Sequence, residues 1–332
     1  MRGLRCRTLT GREAIFRANR FIFCLGAIES SRFFLQPWFD PLPWNRSGLL
    51  GKHYQDHIDV NAAKVTPVDT GIFHRYFDNI FSRGYKYHPK LRLSPVVQAE
   101  RGTLNVAATM NFVSDADEAL GRIKTLAKNL LRGHLGDVAL SDIASAVGNA
   151  SLLARQTYRY SVQHRAYNPP DAEIFLRLHC EQLPLGPSRI TLSDQKDALG
   201  HFRTRLDWKI SASELATMRT YIEVAQRSLA GVAHLTPDPA LLSDDPAFLT
   251  RCDDSNHHMG GMRMSSDPSN GVVDAHLRLH ALPNTYICSS AVFPTSGFSN
   301  PTHTLLALAV RLAEHLTKEV ASAYIPKTTE RI

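Results

Sequence analysis

Long apolar runs are missing from this sequence. None approaches the ~20 residues that cross a bilayer, so no membrane-spanning helix is expected. Cysteine is scarce as well. The five cysteines (Cys6, Cys24, Cys180, Cys252 and Cys288) are odd in number and widely spaced, without a C-x-x-C. That argues against a disulfide framework or a thiolate zinc site and leaves free thiols in a reducing compartment. With no clear signal peptide, the expected compartment is the cytoplasm. Neither a G-x-S-x-G elbow nor an H-E-x-x-H helix occurs, so hydrolase and zincin chemistry have no motif to rest on. Long Lys/Arg runs are absent too. The net charge of +7 is scattered, and a nucleic-acid partner is not expected. What remains is 332 residues, 43% of them hydrophobic, enough to build a sizeable core in one large domain or two smaller ones.

The organisation reads as follows. Phe21–Gly26 is apolar, but Glu29 and Arg32 stand where a leader's small-residue cleavage site would lie, so the run reads as a buried strand covered on both faces. Gly26 permits a tight turn into a helix that carries Phe33, Phe34 and Leu35 and stops before Pro37. Strand, glycine, helix is an α/β signature. LLGKHYQDH (49–57) is polar and reads as a loop. From about 58 to 113 the runs VNAAKV, LRLSPVVQ and LNVAATMNFV suggest antiparallel strands. Helical spacing follows in ADEALGRIKTLAKNLL and LSDIASAVGNASLLARQTY, and strand patterning returns in FLRLHCEQ and SRITLSD. Ser211-x-x-Glu214 is a capping box that opens a helix running to about Leu229. Leu305, Leu306, Leu308, Ala309, Leu312 and Leu316 give the last helix a wide apolar face, and the tail beyond it is expected to fray.

Chemistry concentrates in Asn256–Leu312. His257 and His258 precede Gly260-Gly261. A neutral imidazole is well suited to take a proton from an alcohol, although an isolated His-His pair is more often an ordinary loop feature. The glycines allow either a turn or close backbone approach to a planar ring or phosphate. Adjacent histidines lack the i, i+4 ligand spacing, and no metal is assigned to them. Asn300-Pro301 reads as an N-cap with Pro at the first helical position, and a functional role is compatible with that. A helix start also presents free N–H groups and partial positive charge, which suit an anionic ring. His303 lies near the same helix start and ranks below His257.

Taken in order, His257, Gly260, Gly261, Met264, Gly271-Val272-Val273-Asp274, Phe293-Pro294-Thr295 and Asn300-Pro301 resemble the C-terminal region of the glucose–methanol–choline (GMC) oxidoreductases. The His-His-Met-Gly-Gly and Ser-Asn-Pro-Thr forms are most similar to the sugar and polyol dehydrogenase branches. RFIFCLGAIESSRFFL and LGKHYQDH resemble segments that return to that family's FAD domain, and Cys180–Trp208 resembles substrate-domain strands. The resemblance is weakest between about 115 and 170.

It implies α/β plus α+β architecture: an incomplete FAD-binding, Rossmann-like domain with an antiparallel-sheet substrate domain inserted. The implied FAD-domain segment is 1–60, the substrate domain 61–245 with a helical insertion at about 115–165, the C-terminal active-site segment 246–325, and the tail 326–332. It also implies that His257 is the base toward a substrate hydroxyl, with His258 in that place if the register is off by one. Asn300 would hydrogen-bond the substrate oxygen, and Ser289, Ser290, Asn300, Pro301 and Thr302 would lie against FAD. Ser289 stands where the family often has Asp. The family's G-x-G-x-x-G, which holds the FAD pyrophosphate, occurs nowhere in these residues. The expectation is therefore a truncated or split chain, inactive alone. Its partner would be a separate FAD-binding half or an electron-acceptor subunit, and its substrate a small alcohol or sugar. The alternative is a non-catalytic remnant or partner-binding subunit.

Overall fold

A computed structural model describes residues 1–114, 150–169, 171–243 and 245–324. The chain divides into two compact units. One comprises Met1–Ile58, Glu181–Glu214 and Asp254–Ile332, the other Asp59–Cys180 and Leu215–Asp253. Residues 181–214 thus count with the terminal segments. The expected helix at 116–131 and the tail 326–332 lie outside the described residues. Of the second expected helix, the described part runs Ala150–Ser161.

In the first unit, strand Phe21–Phe23 pairs in parallel with Thr285–Ile287, Phe21 opposite Thr285. Phe21 and Phe23 are buried, but Ile22 between them is 49% exposed. The strand is therefore covered on one face only, against the expectation of two. Its period-2 alternation sends Ile22 outward. Gly26 takes φ of 75° and opens helix Gly26–Leu35. Gln36, held extended by the following Pro37, ends it. Phe34 on that helix is fully buried, meets Phe23 edge-on at 4.9 Å, and accepts the Trp44 indole N–H on its carbonyl at 2.7 Å. Val272, Val273, Tyr286, Ile287, Val292, Phe293 and Leu312 complete this core. In the C-terminal helix, Thr302–Tyr324, Leu312 is buried and Leu305, Leu308 and Leu316 pack partly, while Leu306 and Val310 are 60% and 59% exposed. The apolar face expected to dock wholly onto the core therefore docks in part. An antiparallel hairpin, Leu4–Arg7 with Glu13–Phe16, and the pair Arg189–Lys196 with Phe202–Asp207 finish the unit.

The second unit is built on a sheet ordered Ala233–Pro237, Ile58–Pro67, Glu173–Cys180, Val106–Val113, Leu91–Arg92. Its pairings are antiparallel at Ala233↔Pro67, Val106↔Cys180 and Leu91↔Ala108. Helix Ala212–Leu229 supplies Met218, Tyr221, Ile222, Ala225 and Leu229 as a buried stripe at helical spacing. The Tyr221 hydroxyl donates to Leu91 O at 3.0 Å, and the Gln226 amide to Leu235 O at 3.2 Å. LRLSPVVQ is a strand only at Leu91–Arg92. Pro95–Arg101 is helical, because Ser94 caps Val97 N and Pro95 takes the first helical position. No described helix is long and apolar enough to cross a membrane.

Candidate active site

The glycine-rich segment is threaded between two neighbours. Met259 N donates to Gln55 O, and Gln55 N to Met259 O, both at 2.9 Å. On the other side Gly260 N reaches Ser290 O at 3.1 Å, and Met262 N and Met264 N reach Ala291 O and Val292 O at 2.9 Å. Both glycines have positive φ, 76° at Gly260 and 93° at Gly261. A β-carbon at Gly260 would lie 2.0 Å from His53 O, and one at Gly261 would lie 2.3 Å from Ser31 Oγ. The close backbone approach that Gly-Gly permits is thus made to the protein's own chain.

The antiparallel bridge Gln55↔Met259 sets a register. Two residues on, His57 falls opposite His257, and Asp56 falls opposite His258. His57 Nδ1 lies 3.1 Å from His257 Nδ1, with ring centroids 5.0 Å apart and planes at 59°. Asp56 locks the arrangement. Its Oδ1 accepts His57 N at 2.6 Å, His257 N at 3.0 Å and Ser255 N at 3.3 Å. Asp56 is fully buried, and that burial raises its carboxyl above the ordinary value, against the pull of the amides. Beside it, burial raises the Tyr54 hydroxyl as well.

His258 Nε2 lies 3.7 Å from Asp56 Oδ2 and 3.8 Å from Asp254 Oδ2. These three residues offer ligand atoms within 4.8 Å of one another. Exposed acidic groups commonly stand together without an ion and nothing else here points to one, so the cluster carries no metal assignment. His257, by contrast, is half-buried, and its Nε2 has no hydrogen-bond partner among the described residues. Of the two histidines, it is the one whose ring is held by a hydrogen bond at one nitrogen and open at the other.

The remaining predicted residues divide in two. Ser289 and Ser290 are buried and engaged within the protein. Ser289 Oγ meets Ser30 Oγ at 3.3 Å and accepts Ala291 N, while Ser290 Oγ donates to His258 O at 2.6 Å. Asn300 and Thr302 are exposed, Pro301 half so, and His303 is exposed. The helix begins at Thr302, with Leu305 N bonded to Pro301 O at 2.9 Å, and among the described residues the Asn300 side chain has no partner. Asn300 is therefore not the side-chain cap expected of it. Sequence reasoning passed over Asp56 and His57 as site residues. Their one signal was Q-D-H at the end of a polar segment, and the pairing with His257 spans 200 positions. A cavity of about 720 Å³ beneath the N-terminal hairpin, lined by Arg5, Arg7, Glu13, Trp38 and His201, holds none of the predicted residues.

Residues 184–309 match the family model described as GMC oxidoreductase. The chain is 28% identical over 153 residues to 2-methyl-1,2-propanediol dehydrogenase of Mycolicibacterium austroafricanum, covering 45% of this chain and 26% of that protein. It is 28% identical over 145 residues to the fructose dehydrogenase large subunit of Gluconobacter japonicus, covering 42% and 24%. Among solved structures, pyridoxine 4-oxidase from Mesorbium loti superimposes with a TM-score of 0.54 at 16% identity, over 95% of this chain and 54% of that one. The chain thus shares with that structure a mixed α/β fold that includes an antiparallel sheet. The chain matches about a quarter of the curated relatives' length and about half of the solved relative's.

Proposed function

We propose that these residues form the substrate-oxidising part of an FAD-dependent oxidoreductase that acts on the CH–OH group of an alcohol or sugar. The observation that carries the reading is the half-buried His257, held by its backbone amide and by Nδ1 with Nε2 uncommitted, at the position the GMC resemblance gives to the base. His257 takes the hydroxyl proton at Nε2 as the O–H bond breaks. A positioned histidine contributes ~10²–10⁴-fold to such a step. Asn300, exposed and unpartnered at a helix start, donates its amide to the substrate oxygen. FAD, when bound, supplies the hydride acceptor at N5.

The residues present fit that cofactor at one end. The first turn of helix Thr302–Tyr324 is exposed, with its free N–H groups and an unpartnered Asn300 beside it, and such a start favours the negative charge of a reduced flavin ring. Ser289 and Ser290, buried and bonded within the protein, act from behind, Ser290 by holding the His258 carbonyl. The pyrophosphate has no G-x-G-x-x-G here, so its holder is a separate FAD-binding half or further chain. Exposed Ile22, Leu25, Leu306 and Val310 are the apolar side chains such a half would cover. The domains of the proposal are those of the resemblance, 1–60 and 246–325 for FAD and 61–245 for substrate.

Release and fluorescence of any bound flavin from the purified chain tests this reading, followed by turnover of alcohols and sugars with an artificial electron acceptor. If the chain, alone or with added FAD-binding half, neither retains FAD nor reduces the acceptor, the reading fails.

A further inference from the structure

The two Nδ1 atoms of His57 and His257, 3.1 Å apart, share one proton, because two lone pairs or two N–H groups could not approach so closely as neutral rings. Two assignments follow, and they have opposite consequences. If His57 donates, His257 is left with its proton on Nε2, and a ring in that form has no lone pair to offer a substrate. If His257 donates, its Nε2 lone pair stays free. After Nε2 has taken a proton, the Nδ1–H still points at the same acceptor, so the imidazolium is held as well as the neutral ring. Which nitrogen of a histidine carries the proton is set by the bond its other nitrogen makes.

We propose that His57 is a positioning residue that accepts the hydrogen bond from His257 Nδ1–H and so holds His257 with its Nε2 lone pair outward. This rests on the reading of His257 as base. His57 then carries its own proton on Nε2. The main chain enforces the pairing. Asp56 Oδ1 binds the amides of both His57 and His257, and the Gln55↔Met259 bridge sets the register, so the rings are brought together by backbone rather than by their own attraction. His57 is 2% exposed, which keeps water from competing for the His257 Nδ1–H. A neutral acceptor differs from a carboxylate in one respect that matters: it orients the base without adding a charge that would make its proton harder to pass on.

The full chain carrying isotopically labelled histidine, studied by long-range proton–nitrogen NMR correlation, tests this without flavin or turnover. The His257 signals are assigned by their loss in His257→Gln. The expected wild-type pattern has Nδ1 at the shift of a protonated nitrogen and Nε2 at that of an unprotonated one. His57→Phe, a buried ring without an acceptor, should collapse the two toward averaged shifts. His57→Asn, whose carbonyl can accept, should restore the separation. A wild-type His257 protonated on Nε2 overturns the proposal, as does a His57→Phe spectrum identical to wild type. Should His57→Phe not fold, the wild-type spectrum and His57→Asn still decide. A chain that shows the expected pattern but never binds FAD would sink the oxidoreductase reading and leave the tautomer assignment standing. In the loaded enzyme, His57→Phe should lower kcat by about 10–100-fold with KM little changed.

Discussion

Asp56 Oδ1 accepts the backbone amide of His257 at 3.0 Å across 201 positions of sequence. The same oxygen takes the amides of His57 and Ser255, so one buried carboxylate ties together the two segments that carry the histidines. Asp56→Ala strands those donors. A hydrogen bond to a charged group contributes ~1.5–3 kcal/mol, and the loss should lower stability by about 2 kcal/mol or more. Asp56→Asn keeps one acceptor oxygen and should lose less. Urea unfolding of the three proteins checks this. Equal midpoints for wild type and Asp56→Ala would show that the clamp contributes nothing.

The glycines make a second prediction. At Gly260 an added β-carbon meets the His53 carbonyl at 2.0 Å, and the backbone is left-handed. Gly260→Ala therefore combines φ strain with a clash against main chain that is itself bonded in place, and should cost ~3 kcal/mol or more. Gly102 also has positive φ, 60°, but nothing lies within 4 Å of an added β-carbon. Gly102→Ala should cost about 1 kcal/mol. Thermal unfolding of both variants separates steric from conformational cost, and similar losses would mean that the close approach at Gly260 relaxes freely.

A third prediction separates chemistry from structure at the helix start. His257→Ala should lower kcat by ~10²–10⁴-fold in the FAD-loaded protein while flavin stays bound. Asn300→Ala should also lower turnover. Because its side chain bonds nothing in the described structure, its stability should stay within ~0.5 kcal/mol of wild type. Unchanged kcat in His257→Ala would remove it from the base role and turn attention to His258. A large stability loss in Asn300→Ala would restore it as a cap.

How much of this was legible in the residues themselves depends on distance along the chain. Local rules carried well. Ser211-x-x-Glu214 does open a helix, Ala212–Leu229, with Glu214 accepting Ser211 N at 2.8 Å, and Gly26 does turn a strand into a helix. Ser94-Pro95 shows a local rule overlooked: a cap and a first-position proline outweighed the β-branched Val96 and Val97 that suggested a strand. What a single sequence does not display is partnership across long separations. LLGKHYQDH looks like a loop because the backbone amides of Gly51, Tyr54 and Gln55 bond to Gly261, Ser188 and Met259, far off in sequence. Asp56 and His57 acquire roles only once that register brings them to His258 and His257. Exposure depends on the same long-range pairing. FIFCLG is apolar on both sides, and whether Ile22 is covered depends on which strands stand beside it.

The last prediction concerns acid. Asp197 is held well below the usual carboxylate range, at about 2, chiefly by the Arg32 guanidinium 2.5 Å away, with help from the amides of His201 and Leu199. Its folded pKa lies below its unfolded value of about 3.9. Proton binding is therefore weaker in the folded state. The stabilisation from this group is fully present above pH ~4 and is lost as pH falls through about 2. Asp197→Asn removes the charge but keeps an acceptor for the two amides, so it isolates the titration. Wild type should exceed Asp197→Asn in Tm near neutrality, and the gap should narrow as pH drops from about 4 toward 2. Because the pair is partly exposed, added salt should shrink the gap at neutral pH as well. A gap that stays constant from neutrality down to the acid limb would show that Asp197 has the same affinity for its proton folded and unfolded, and that Arg32 merely lies near it.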